Sequence, residues 1–170
     1  DFNLSGEINI KPLKRLLIMV FALFIIIYFL PIRILNIDIP FLTSLMSNHI
    51  FSSIFVLLCF LFIINGANLI DGFNGLLVIN LIIINLILIY INFNSENLEF
   101  SFFLISQVII MLVFLLFNFP NAKIFLGDSG SYIYALFSGA LIIYLFQRHS
   151  QLPTLLAMVI LSYPITEMLF

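Results

Sequence analysis

Six long runs of apolar residues divide the chain, and short segments containing polar residues, glycine or proline separate them. The runs lack the strict alternation of apolar and polar positions that is typical of membrane β-strands. Each run has about 18 residues, and a helix needs about 17–25 apolar residues to cross the hydrocarbon core of a bilayer. The pattern therefore predicts transmembrane helices at residues 14–31, 49–66, 75–92, 101–118, 130–147 and 153–170.

The composition agrees with this interpretation. Apolar residues make up 64% of the 170 positions and charged residues only 8%, against about 25% charged residues in a soluble domain. The single cysteine, Cys59, excludes a disulfide framework, and a net charge of −2 without a basic cluster gives no sign of nucleic-acid binding. We predict an all-α, polytopic integral membrane helix bundle that forms one transmembrane domain over residues 1–170. Because the chain starts at Asp1 and ends within an apolar run, we expect a fragment of a longer protein.

The order of the spans assigns each connecting segment to a membrane face. Segments 1–13, 65–75 and 119–130, with the end of the chain, share one face, and segments 32–48, 93–100 and 148–152 share the other. The first face carries four basic residues and the second carries two, Arg33 and Arg148. Because cytoplasmic loops are enriched in Lys and Arg, we predict that the first face is cytoplasmic.

The first polar cluster on this face runs from Asn65 to Gly75 and lies between two apolar runs. If this segment is helical, Asn68 and Asp71 share one face of the helix, and Asn74 extends that face by another turn. Oxygen donors on one face suit a hard cation or a hydroxylated ligand. The alternative is that Asp71 is only the N-cap of the following helix.

The second cluster includes Gly127, Asp128, Ser129 and Gly130 at the start of an apolar run. A helix start with small residues favours an anionic ligand. Asp128 would repel such a ligand unless a divalent cation lay between them. Here too the alternative is an N-cap, formed by Asp or Ser. The segment is not a nucleotide-binding P-loop, because it lacks the Gly-Lys-Ser/Thr ending.

The predicted topology places Asp1, Asp71, Asp128 and Glu167 on the same membrane face. Carboxylates that converge at the mouth of a helix bundle suggest a magnesium-assisted reaction of a phosphate compound. A cation-coupled transporter or channel is one alternative, since it would also place carboxylates between spans. A second is a non-catalytic membrane subunit whose Gly-rich breaks serve only helix packing.

Two motifs resemble those of the polyprenyl-phosphate N-acetylhexosamine-1-phosphate transferases, the undecaprenyl-phosphate sugar-1-phosphate transferases of glycosyltransferase family 4. They are Asn68-Leu-Ile-Asp71-Gly-Phe-Asn74-Gly-Leu and Ala122-Lys-Ile-Phe-Leu-Gly-Asp128-Ser-Gly-Ser131. The segment from Tyr163 to Phe170 is similar to the family's Pro-x-x-Asp/Glu helix. The chain departs from the family pattern at two places. Asn74 occupies a position that is usually acidic. The family also has a pair of acidic residues before a Lys/Arg-flanked span, and here only Asp1 matches, as the second of that pair.

The resemblance implies a multi-pass enzyme of the bacterial inner membrane with its active face in the cytoplasm. Such an enzyme is a phosphotransferase that moves N-acetylhexosamine-1-phosphate from a UDP-sugar to undecaprenyl phosphate, releases UMP and uses Mg²⁺ or Mn²⁺. It would start the synthesis of a cell-envelope polysaccharide, and the Asp-Gly-Phe-Asn-Gly segment is closer to the lipopolysaccharide and teichoic-type branches than to the peptidoglycan branch. A homodimer is compatible with this assignment.

The same resemblance assigns roles to individual residues. It implies that Asp1, Asp71 and Asp128 are catalytic and that Asp128 and Asn68 are metal ligands. It implies substrate binding by a further set, namely Asn68, Asn74, Lys123 and Glu167.

Overall fold

The structure is a computed structural model that describes residues 12–30, 32–34, 37–93, 97–149 and 151–169. These residues form α-helices, with no β-strand among them. In chain order the helices are α1 (Pro12–Phe29), α2 (Pro40–Met46), α3 (His49–Ile70), α4 (Leu76–Asn92), α5 (Leu98–Asn118), α6 (Gly127–Arg148), α7 (Thr154–Ile160) and α8 (Ser162–Leu169).

The apolar runs correctly predicted the first five long helices. Among the described residues, α3, α5 and α6 are long and apolar enough to cross a membrane, and α4 is an apolar helix of 17 residues. Large apolar side chains remain exposed along these helices, for example Ile54, Ile109 and Leu116. Such a surface is typical of helices that contact lipid. The fold class of a membrane helix bundle is therefore confirmed.

The prediction was wrong about the last span. The described part of this run, residues 153–169, does not form one continuous helix, because a turn at Leu161 separates α7 from α8. Pro164 explains the break: it has no N–H to donate to the carbonyl of Ile160, and its ring is tolerated only in the first turn of a helix. The short helix α2 also lies within a segment that was predicted to be a loop.

Helix α3 is the centre of the bundle and packs against α6, α8 and α1. Its buried residues Val56, Phe60, Ile63 and Ala67 recur every three or four positions, as expected of the inner side of a helix. Gly139 of α6 lies where a Cβ atom would come within 2.9 Å of the Phe60 ring. Small residues of this kind allow membrane helices to approach each other closely.

Three contacts agree with part of the predicted grouping: they link segment 65–75 to 119–130, and segment 32–48 to the helix ends that flank 148–152. At one end of the bundle, the Asn74 side chain donates a hydrogen bond to the carbonyl of Pro120 (3.1 Å). At the other end, the Gln147 side chain donates to the carbonyl of Arg33, and the Thr154 N–H donates to Asp38. Which end faces the cytoplasm stays a prediction.

Candidate active site

The two polar motifs meet at one end of the bundle, where the α3–α4 connection lies against the α5–α6 connection. The hydrogen bond from Asn74 to Pro120 joins the two connections. Gly75 is the N-cap of α4 and has a φ of +77°, a left-handed conformation that favours glycine. A Cβ atom at Gly75 would also lie 2.9 Å from Cδ1 of Leu115. The short connection thus depends on glycine for both its conformation and its packing against α5.

Asn68 and Asp128 connect the end of α3 with the start of α6. Asn68 is in the last turn of α3, and its Nδ2 donates a hydrogen bond of 3.2 Å to Oδ1 of Asp128. Asp128 lies in the first turn of α6, where the Ser131 hydroxyl donates to its backbone carbonyl. The sequence hypothesis that these two residues belong to one site agrees with this contact.

Asp71 lies at the same end of the bundle, directly after the last residue of α3. Burial raises the pKa of its carboxyl group above the ordinary value of 3.8, and the negative charge of Asp128 raises that pKa further. The two carboxylates are therefore close enough to interact electrostatically. A pair of like charges, one of them partly buried, is typical of a site that binds a cation or handles a proton.

Both N-cap alternatives from the sequence are wrong. Asp71 is the C-cap of α3, and the N-cap of α4 is Gly75. The N-cap of α6 is Leu126, which makes no side-chain capping bond, so Asp128 has no capping function. Neither carboxylate therefore caps the start of a helix with its side chain.

Arg15 also belongs to this site, although the sequence pattern did not predict it. Its guanidinium Nη2 lies 2.7 Å from Oδ2 of Asp128, and its Cζ lies 5.0 Å from the centre of the Tyr132 ring. Arg15 is one of the four basic residues on the face that was predicted to be cytoplasmic. The sequence does indicate that Arg15 lies on the same membrane face as Asp128. Hydropathy does not reveal, however, that α1 approaches the start of α6.

No contact among the described residues joins the other predicted site residues to this cluster. Lys123 is exposed, and its backbone N–H donates to the carbonyl of Phe117. Glu167 interacts with the hydroxyl of Tyr163 one turn earlier on α8. Asp1 lies outside the described residues. The roles proposed for these residues, and for Asn74 in substrate binding, stay predictions.

The side chains of this cluster are of a kind that suits a hard divalent cation. No group of three or more His, Cys, Asp or Glu side chains that could hold a metal occurs in the described part of the chain. Two carboxylates and one amide nevertheless lie together, and Mg²⁺ is usually held by one or two carboxylates, with waters and substrate phosphates as the other ligands.

Comparisons with known proteins agree with the motifs. A family model described as "Glycosyl transferase family 4" matches residues 1–146. A phospho-N-acetylmuramoyl-pentapeptide-transferase of Clostridium perfringens is 32% identical over 96 residues, which are 56% of this chain and 30% of that protein. A protein of the same name from Lactobacillus gasseri is 32% identical over 127 residues, which are 74% of this chain and 40% of that protein. The chain thus spans less than half the length of these curated relatives, and no solved structure matches it.

Proposed function

Because the chain belongs to glycosyl transferase family 4, we propose that the intact protein transfers a sugar-1-phosphate from a nucleotide sugar to a polyprenyl phosphate. The donor is a UDP-N-acetylhexosamine and the acceptor is undecaprenyl phosphate. An oxygen of the acceptor phosphate forms a bond to the β-phosphorus of the donor. The bond from that phosphorus to the oxygen bridging the two donor phosphates breaks, and UMP leaves.

The observation that carries this proposal is the meeting of Asn68, Asp71 and Asp128 at one end of the bundle. Both substrates are anions, so phosphoryl transfer between them requires positive charge and alignment. A transporter would instead place its ion-binding groups near the bilayer midplane, at broken helices. The position of the two carboxylates, beside helix ends, favours the enzyme.

Each side chain of the cluster has a proposed part in this reaction. Asp128 and the amide oxygen of Asn68 would hold Mg²⁺ or Mn²⁺, which when bound neutralises phosphate charge and aligns the reacting groups. Asp71 faces the donor nucleotide and, because its pKa is raised, holds a proton more readily than an exposed aspartate. We assign Asn74, Lys123 and Glu167 to substrate binding and Asp1 to the orientation or deprotonation of the acceptor phosphate.

The names of the relatives bear on the choice of donor. Those proteins are phospho-N-acetylmuramoyl-pentapeptide-transferases, which makes a UDP-linked N-acetylmuramoyl-pentapeptide a second candidate donor. The Asp-Gly-Phe-Asn-Gly segment supports a simpler hexosamine for an O-antigen or teichoic-type polysaccharide. We place the active end on the cytoplasmic side of the bacterial inner membrane, where nucleotide sugars are available.

A UMP-release assay of the intact protein tests the proposal. The purified enzyme is supplied with undecaprenyl phosphate, Mg²⁺ and one donor at a time: UDP-N-acetylglucosamine, UDP-N-acetylgalactosamine or UDP-N-acetylmuramoyl-pentapeptide. We expect UMP from at least one donor, with none when the acceptor is omitted or EDTA is added. Absence of UMP with every donor, or release that does not depend on the acceptor, would contradict the proposal.

A further inference from the structure

A cleft opens between α1 and α3 at the end of the bundle opposite the candidate active site. It has a volume of about 550 Å³ and is lined mainly by apolar side chains, including Phe24, Ile27, Ile54 and Leu57. The part of α3 that borders it runs from His49 to Leu57, which corresponds to a depth of about 12 Å along the helix. The cleft is therefore deep enough to receive a chain that lies along the helices.

The mouth of this cleft is polar and basic. Nη2 of Arg33 lies 2.6 Å from Nε2 of His49, and Nδ1 of His49 lies 3.3 Å from the Ser53 hydroxyl. Because a guanidinium can only donate, Nε2 must accept, so Nδ1 carries the hydrogen and donates to Ser53. Ser53 in turn donates to the carbonyl of His49 (2.9 Å). None of the described residues that line the cleft is acidic.

The backbone around Arg33 is held in place by two further bonds. The Gln147 side chain donates to the carbonyl of Arg33, and the Ser52 hydroxyl donates to the carbonyl of Ile34 (3.3 Å). The guanidinium has five N–H donors and the bond to His49 uses one of them. Arg33 is thus positioned at the mouth of the cleft with donors for a further acceptor.

We propose that this cleft binds an anionic phospholipid of the surrounding bilayer. The phosphate would contact Arg33 and Ser53, and an acyl chain would lie between α1 and α3 beside Ile27 and Leu57. An arginine at the end of an apolar groove is complementary to a molecule with an anionic head and an apolar chain. His49 and Asp71 are the first residue of α3 and its C-cap, so the cleft mouth and the candidate site are about 33 Å apart. The cleft is therefore not a part of the proposed reaction site.

Native mass spectrometry of the intact protein in detergent tests this proposal. The protein is titrated with phosphatidylglycerol and, separately, with phosphatidylcholine. We expect phosphatidylglycerol to bind about fivefold or more tightly, and Arg33→Gln to remove this preference. Arg148→Gln is the matched control, because Arg148 is an arginine at the same end that lies over the Tyr144 ring and does not line the cleft.

A second variant tests the apolar part separately. Ile27→Trp fills the cleft without changing its basic mouth. We expect this substitution to weaken the binding of both lipids by a similar factor. Inorganic phosphate at millimolar concentration should not displace phosphatidylglycerol, since phosphate lacks the chains. Equal binding of the two lipids to the unmodified protein, equal effects of Arg33→Gln and Arg148→Gln, or displacement by inorganic phosphate would overturn the proposal.

Discussion

Arg15 and Asp128 form an ion pair between the first turn of α1 and the first turn of α6, with 2.7 Å between Nη2 and Oδ2. Asp128 also accepts a hydrogen bond from Asn68 and lies close enough to Asp71 to raise the pKa of that residue. Arg15 therefore places a positive charge directly against Asp128. A cation that binds to Asp128 must share the carboxylate with this guanidinium or displace it.

We predict that Arg15→Gln increases the affinity of the intact protein for a divalent cation. The ion pair is exposed on both sides, and such pairs contribute about 0.2–1 kcal/mol, so the dissociation constant should fall by up to about fivefold. The measurement is a titration with Mn²⁺ followed by electron paramagnetic resonance, without substrates. Lys14→Gln is the control, because it removes a neighbouring exposed charge. An unchanged or weaker affinity in Arg15→Gln would show that Arg15 does not compete with the metal.

Substitution of Asp128 by Asn should abolish UMP release and leave the protein folded in the membrane. The amide keeps the shape of the side chain and can still accept a hydrogen bond from Asn68, but it lacks the charge that a metal ion requires. A metal supplies several kcal/mol of transition-state stabilisation, so we expect the rate to fall at least about 100-fold.

Glu99→Gln is the matched control for Asp128→Asn. Glu99 is an exposed carboxylate in the first turn of α5, at the other end of the bundle. Its substitution should change the rate by less than about twofold. Retention of activity in Asp128→Asn would refute the assignment of this residue as a metal ligand.

The positions of most helices could be predicted from the sequence because apolar runs of sufficient length have few alternatives in a bilayer. The break between α7 and α8 was missed because it depends on the backbone of one residue, Pro164, within a run that is otherwise apolar. The meeting of Asn68 with Asp128 followed from the order of the spans and from the motifs. The role of Arg15 did not, since hydropathy specifies the depth of a residue but not which helices are neighbours.

The close contact between α3 and α8 gives a test of the packing. A Cβ atom at Gly66 would lie 2.1 Å from the carbonyl oxygen of Pro164 and 2.9 Å from its carbonyl carbon. These are backbone atoms of another helix, so Gly66→Ala should push α8 away from α3. We expect a loss of about 1–3 kcal/mol, the usual cost of overpacking, measured as a lower temperature of thermal aggregation in detergent.

Gly72→Ala is the control for Gly66→Ala. The nearest atom to a Cβ at Gly72 is the carbonyl oxygen of Leu69 at 3.3 Å, and the residue is exposed. Its aggregation temperature should therefore stay closer to that of the unmodified protein. Equal stability of Gly66→Ala and the unmodified protein would contradict the packing of α8 on α3.

Asp71 links the proposed chemistry to the stability of the fold. The raised pKa means that the Asp71 carboxyl group binds a proton more tightly in the native protein than in the unfolded chain, where its pKa is near 3.8. The contribution of this group to stability is complete below the unfolded pKa and is lost as the pH rises through the raised native pKa.

At neutral pH the unmodified protein therefore carries the cost of a partly buried charge beside Asp128. We predict that Asp71→Asn makes the protein more stable to heat at pH 7.5 while abolishing UMP release, and that the stability difference shrinks as the pH is lowered through the raised native pKa toward 3.8. Thermal unfolding in detergent across this pH range measures the effect, and Glu99→Gln should show no such trend. A stability loss in Asp71→Asn that does not vary with pH would mean that the Asp71 side chain serves the packing of the α3–α4 connection rather than the charge balance of the site.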